Sequence, residues 1–265
     1  MVALQLVDIL PELNGSLPHL YDGRWWVARD GEVLELDASL RVIGLSSEHC
    51  CIDQNEPVVR LADGGTLAVN ATDTGFAVVR SNGDRFDIDV ENTVPRAVHH
   101  PHGTGAVFEF PMGQDGTTVI GVDVSSGSMV CWELLPGDEC TPYAFSPDGA
   151  RVLVGPYPND PSVVRVLSWP GGQVLHTLDD ATVGAEQGFD LSGGYLGSSR
   201  TAMLATEMGI VIAGADLSGA VLIDVSEELG GDAFIESIAP LDADYIAAVV
   251  WSTGGSRATT LWRVV

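Results

Sequence analysis

Lysine is absent from this sequence, and twelve arginines supply all of its fixed positive charge. Against 37 acidic residues they leave a formal net charge of −25 at pH 7. A nucleic-acid backbone is held by clustered cations that release counterions from phosphates, whereas these arginines are scattered from Arg24 to Arg263 without a cluster. The composition therefore disfavours a nucleic-acid partner and, by the same reasoning, an anionic membrane surface. A one-signed acidic surface instead suits a basic or cationic partner and helps keep a rigid β-rich body in solution.

Other absences narrow the reading further. Only four cysteines occur, Cys50, Cys51, Cys131 and Cys140, with no C-x-x-C spacing and no disulfide-scaffold density. No apolar run approaches the roughly 18 residues of a membrane-spanning helix. The first residues, MVALQLVDILPEL, lack a basic start, and Asp8 interrupts their apolar stretch, so they do not read as a signal peptide. Together these features predict a cytoplasmic protein with free thiols. Helical periodicity is almost missing, as are the G-x-S-x-G nucleophile elbow and the S-x-D-x-G-x-T-W box. With 37 carboxylates, some pair will always meet a glycosidase separation by chance, so acid count carries no catalytic information.

What the sequence does contain is short runs of Val, Ile, Leu and aromatic residues separated by Gly, Asp, Asn and Ser turns. Trp25 to Ala28, Val33 to Leu36, Phe76 to Arg80, Val119 to Val124 and Val163 to Leu167 are examples. They repeat at a longer period. The clearest unit is Tyr143 to Leu178, in which Phe145 ends one strand, Ser146-Pro147-Asp148-Gly149 makes a tight turn, and three more strands follow near 151–155, 162–168 and 172–178. Comparable turns fall at Asp22-Gly23, Asp63-Gly64, His102-Gly103, Ser192-Gly193 and Asp242 to Asp244. Turn-to-turn spacing of about 40 to 50 residues is that of a four-stranded propeller blade.

The spacing predicts one all-β domain over 1–265, a six-bladed β-propeller of four-stranded antiparallel blades at 14–47, 56–91, 96–136, 140–179, 186–227 and 232–265. The sixth unit is one strand short, and the segment 2–10 has no hairpin partner of its own. Setting this N-terminal strand beside 258–264 completes the C-terminal blade and removes two exposed sheet edges. The run FSPDG followed by RVLV, SVVRVLSW and GQVLHTL resembles the WD40-like, SPDG-type bacterial β-propeller repeats. No blade carries the Gly-His and Trp-Asp pairs of true WD40 repeats; Trp169-Pro170 is the nearest approach.

Candidate functional residues are few. His19, Glu56, His99, Tyr143, Gln187 and Glu236 are expected near the starting ends of successive inner strands, as a polar ring on one channel face. Such a ring would be a hydrated funnel or a holder for calcium or another divalent cation, with Glu56 and Glu236 as oxygen donors. His99 and His100 point to opposite faces of a strand, so with His102 they do not form an obvious metal set. His49, Cys50 and Cys51 are adjacent in the chain and poorly disposed for one tetrahedral ion. One of Trp25 and Trp26 must face a neighbouring blade; the pair is also a candidate partner contact. No cofactor and no catalytic residue is assigned. The function expected is a non-catalytic scaffold that engages a protein partner, with a metal-dependent hydrolase or lactonase-like enzyme as the alternative.

Overall fold

The computed structural model describes residues 2–21, 24–29, 32–45, 57–91, 93–158, 162–206, 209–230 and 233–265. The first strand is β1 (Leu4–Ile9). Blade one then comprises β2 (His19–Tyr21), β3 (Arg24–Arg29), β4 (Glu32–Leu36) and β5 (Val42–Leu45), and blade two β6 (Val58–Arg60), β7 (Thr66–Thr72), β8 (Gly75–Arg80) and β9 (Arg85–Ile88). Blade three is β10 (Arg96–His99), β11 (Gly105–Pro111), β12 (Thr117–Asp123) and β13 (Val130–Glu133). Blade four is β14 (Cys140–Phe145), β15 (Arg151–Pro156), β16 (Val163–Ser168) and β17 (Val174–Asp179). Blade five is β18 (Phe189–Leu196), β19 (Arg200–Ala205), β20 (Gly209–Gly214) and β21 (Val221–Ile223). Blade six has β22 (Ala233–Pro240), β23 (Tyr245–Ser252) and β24 (Arg257–Val264), and takes β1 as its outermost strand. The chain is a six-bladed β-propeller.

Closure by the N-terminal strand is as the repeat count predicts. Leu4 lies opposite Val264 and Ile9 opposite Thr260. The ladder runs past the strand ends, because Ala3 and Val265 exchange both backbone hydrogen bonds at 3.0 Å and the Leu10 N–H donates to the Thr259 carbonyl at 2.8 Å. Leu4 and Leu10 are buried on opposite sides of blade six, the first in the blade five/six core and the second in the blade six/one core.

A blade is buried on both faces, so its inner strands read as continuous apolar runs rather than as alternation. β11 shows this, with Gly105 to Phe110 all buried. The cores accordingly sit between blades. Leu67, Val78, Phe108 and Phe110 fill the blade two/three seam, and Val107, Val152, Leu167 and Trp169 the three/four seam. Leu153, Val164, Met203 and Val211 fill four/five, Leu204, Ile246 and Trp262 five/six, and Leu13, Val27 and Leu34 six/one, where Leu241 and Leu261 join them.

Aspartate and serine close the first turns by capping their own backbone. Asp148 Oδ1 accepts from the Ser146 hydroxyl at 2.5 Å and from Ala150 N at 3.0 Å. Asp63 and Asp242 do likewise for Gly65 and Asp244, both at 2.8 Å. Blade five differs from expectation. Ser192-Gly193 lies inside β18, and the strand-to-strand turn falls at 197–199. Gly193 is glycine for close packing: a Cβ there would stand 2.7 Å from the Tyr143 ring of the neighbouring blade.

Outer strands leave one edge unpaired, and charged side chains, lysine above all, are a common protection. This lysine-free chain has bulges there instead. An extra residue breaks the outer ladder at Val7 in β1, Ile43 in β5 and Leu175 in β17. Each bulge increases the local twist and turns the edge away from a flat pairing geometry.

Candidate functional site

Antiparallel pairing fixes which loops share a face. The inner strands all begin on one face of the ring, so the connections from second to third strands, and from each outer strand to the next inner one, lie there too. The opposite face carries the first turns, including Ser146 to Gly149.

The residues expected to form a polar ring are distributed along the inner strands rather than set at one level. Glu56 lies outside the described residues. His19 opens the short β2, Gln187 precedes β18, and His99 closes β10 next to its turn. Tyr143 and Glu236 are bulged residues within β14 and β22. At about 3.3 Å per residue, such offsets separate side chains by several residue steps along the strand direction.

Two of these side chains are committed to partners within the chain. Arg257 donates to both carboxylate oxygens of Glu236, from Nε at 2.8 Å and from Nη2 at 2.6 Å, while its guanidinium lies 5.5 Å from the Trp251 ring centre. A cation on Glu236 would have to compete with a bidentate guanidinium. The Tyr143 hydroxyl donates to the Asp190 carbonyl in blade five. Burial, with the charges of Asp190 and Glu109, pushes its pKa well above the usual phenol value.

His99 feels His19. Burial lowers the His99 pKa to about 4, and His19 adds to the shift. His19 keeps water-accessible surface, yet the protein around it also lowers its pKa by desolvation. Neutral imidazoles could serve as metal ligands, but among the described residues no group of three or more His, Cys, Asp or Glu is placed to hold an ion.

His100 and His102 act as a clasp between blades three and four. His100 Nε2 is 3.0 Å from the Gly149 carbonyl, and His102 Nε2 is 3.2 Å from the Asp148 carbonyl. His100 Nδ1 accepts from the His102 N–H at 3.2 Å, which assigns its proton to Nε2. The ring packs edge-on against Phe145 with 4.9 Å between centroids. These histidines therefore hold the Ser-Pro-Asp-Gly turn of the next blade.

Trp26 is buried, 6% exposed, and Trp25 is half-buried against the blade six/one core. Cys131 and Cys140 are free thiols. Burial raises their pKa values to about 11 and about 12, with Glu109 adding to the second, so neither is a thiolate near neutrality. His49, Cys50 and Cys51 lie outside the described residues.

The positive charge is consumed internally. Among the described residues, nine of the twelve arginines pair with carboxylates: Arg24 with Glu35, Arg41 with Asp8, Arg80 with Asp63, Arg85 with Asp87, Arg96 with Glu109, Arg151 with Asp148, Arg165 with Asp138, Arg200 with Asp244 and Arg257 with Glu236. Of the other three, Arg29 donates to the Glu12 carbonyl and Arg263 lies over the Tyr245 ring, while Arg60 also has a partner.

One pocket escaped the sequence reading. It opens between blades five and six on the face where inner strands begin, lined by Leu204, Ala205, Gly209, Asp224, Val225, Ser226, Leu229 and Ala233 to Ile235, a shallow site of about 40 Å³ that opens directly to solvent. A single helical turn, α1 (Ser226–Leu229), forms one wall. The nearest signal in the sequence is Phe234, an aromatic placed two residues after a Gly-Gly-Asp run.

No protein-family model and no curated protein sequence matches the chain. Solved structures do resemble it. A catalytically inactive virginiamycin B lyase from Staphylococcus aureus, solved with quinupristin, aligns over 100% of both chains at TM-score 0.54 and 8% identity. A gluconolactonase from Xanthomonas campestris aligns over 96% of this chain and 89% of its own at TM-score 0.54 and 12% identity. The Swd1 β-propeller domain from Myceliophteria thermophila aligns over 99% and 100% at TM-score 0.51 and 14% identity. At these identities the likeness is one of fold, and a fold does not by itself fix a function; this chain is a β-propeller by architecture.

Proposed function

We propose that this chain is a non-catalytic binding propeller that engages a cationic protein partner through the loops of its ring. The observation that carries the reading is the imbalance of charge combined with its geometry. A net charge of −25 remains after nine arginines are neutralised in place. An anionic ligand would have to break an existing ion pair to reach most of these guanidiniums, whereas a basic segment meets carboxylates that outnumber the arginines 37 to 12. Long-range attraction of that kind raises association rates and weakens with salt.

Titration with arginine- and lysine-rich peptides at low and high salt tests the reading, with acidic peptides as the control. Binding of the basic set alone, falling as salt rises, is the expected result. Equal binding of both sets, or of neither, overturns it. Elemental analysis of the mildly purified protein addresses the enzymatic alternative, because a stoichiometric divalent ion would move the weight towards the metal-dependent hydrolase.

A further inference from the structure

We infer that the pocket between blades five and six grips the partner by one large apolar side chain flanked by lysine or arginine. This rests on the protein-binding reading above and adds the surface that does the binding.

The pocket has an apolar floor and an acidic rim. Leu204, Val225 and Ile235 are buried beneath it, and Leu229 packs against the same core. Phe234 stands at its lip with 48% of its surface exposed, although it begins an inner strand. An aromatic ring left half in water beside an apolar floor is stabilised by any apolar group that covers both. Asp224, Glu227 and Glu228 are exposed around α1, and among the described residues none that lines the pocket is cationic. The Asp224 carboxylate accepts from Ser226 N at 2.8 Å, and its hydrogen bonds with Ser226 lower its pKa, so it stays ionised under mildly acidic conditions.

That combination selects the occupant. A second copy of this chain would bring another −25 charges to an acidic rim, and an anionic lipid or nucleic acid would meet the same repulsion. A basic segment with a central Leu, Phe or Trp satisfies both the floor and the rim. Apolar anchors in a pocket ringed by complementary charge are the usual place for binding energy to concentrate.

The test uses arginine- and lysine-rich nine-residue peptides that differ only at the central position, Leu, Phe, Trp or Ser, with binding followed by fluorescence anisotropy. The apolar-centred peptides should bind the full chain roughly 10-fold tighter than the Ser-centred one. Phe234→Ser should erase that preference. The double change Glu227→Gln with Glu228→Gln should weaken every basic peptide and flatten the salt dependence. Methyl NMR shifts of Leu229 and Ile235 on peptide addition give a readout in the unaltered protein, independent of how the variants fold. Basic peptides that bind without an apolar preference, or with one that survives Phe234→Ser, would overturn the pocket assignment and leave the binding-module reading standing. If no basic peptide binds, both fall together.

Discussion

The Tyr143 hydroxyl donates a hydrogen bond to the Asp190 main-chain carbonyl across the seam between blades four and five. The ring bearing it lies where a Cβ on Gly155 would stand 1.9 Å from its atoms, and one on Gly193 2.7 Å. Two glycines in different strands thus make room for one tyrosine. Tyr143→Phe should cost about 1–2 kcal/mol, the net loss of a buried hydrogen bond with packing kept. Gly155→Ala should cost more, about 3 kcal/mol, because the tyrosine must leave its place. Chemical denaturation of the two variants checks the order; a Gly155→Ala protein as stable as the parent would refute the packing argument.

Acid should destabilise the fold through its histidines. His99 and His100 are both harder to protonate in the folded chain, chiefly because burial disfavours their charged form. The unfolded chain therefore binds more protons once the pH drops below the ordinary histidine pKa of about 6.5. Stability should be complete above that value and decline towards about pH 4, where His99 titrates in the folded state. His99 alone contributes on the order of 2–3 kcal/mol at the low end. Urea midpoints measured across this range should fall with pH, and less steeply in His99→Gln.

The His100 clasp adds a local version of the same effect. A proton on Nδ1 would face the His102 N–H that now donates to it. Around it stand His102, which opposes its charge, and Asp123, which favours it. Relative to the intrinsic base-catalysed rate, the protection of the Gly149 and Ala150 amides should fall on acidification before global stability does, and His100→Asn should remove the pH dependence of that protection. Exchange that tracks global stability at every pH would exclude a local opening.

Removing the strand that completes blade six should expose the edge of β24 and uncover Trp262, which is fully buried. Leu4→Ala and Leu10→Ala should each cost about 2–5 kcal/mol. Their effects should add, because the two side chains enter different cores. A chain lacking residues 2–10 should aggregate, and a peptide of that sequence should restore solubility, read by light scattering.

Cys131 and Cys140 should resist alkylation in the native protein near neutral pH, since burial keeps both protonated. Peptide mapping after iodoacetamide treatment would locate the modified sites; rapid labelling of Cys140 would contradict its placement in the blade three/four core.

The parts of the structure legible in the sequence are those governed by local chemistry and by counting. Ser146-Pro147-Asp148-Gly149 announces its turn because the capping side chain and the glycine with φ of +70° are neighbours in the chain. The place of β1 follows from a sixth unit that lacks a strand. Ser192-Gly193 looks the same locally but serves a different end, since the reason for Gly193 is a tyrosine 50 residues earlier. The polar ring was illegible for a similar reason. Bulges at Tyr143 and Glu236 alter the register without a local marker, and the partners that occupy those side chains, Asp190 and Arg257, lie 47 and 21 residues away. The pocket beside Phe234 depends on two blades meeting, which no single repeat records.

The mutual hydrogen bonds of Ala3 and Val265 have a mechanical consequence. Anything fused before the first residue or after the last would leave the ring from one spot on the rim of blade six, as two cords from one knot. Tension applied between such fusions would load the ladder of β1 and β24 before any other seam, so the clasp that completes the circle is also where it would be pulled open.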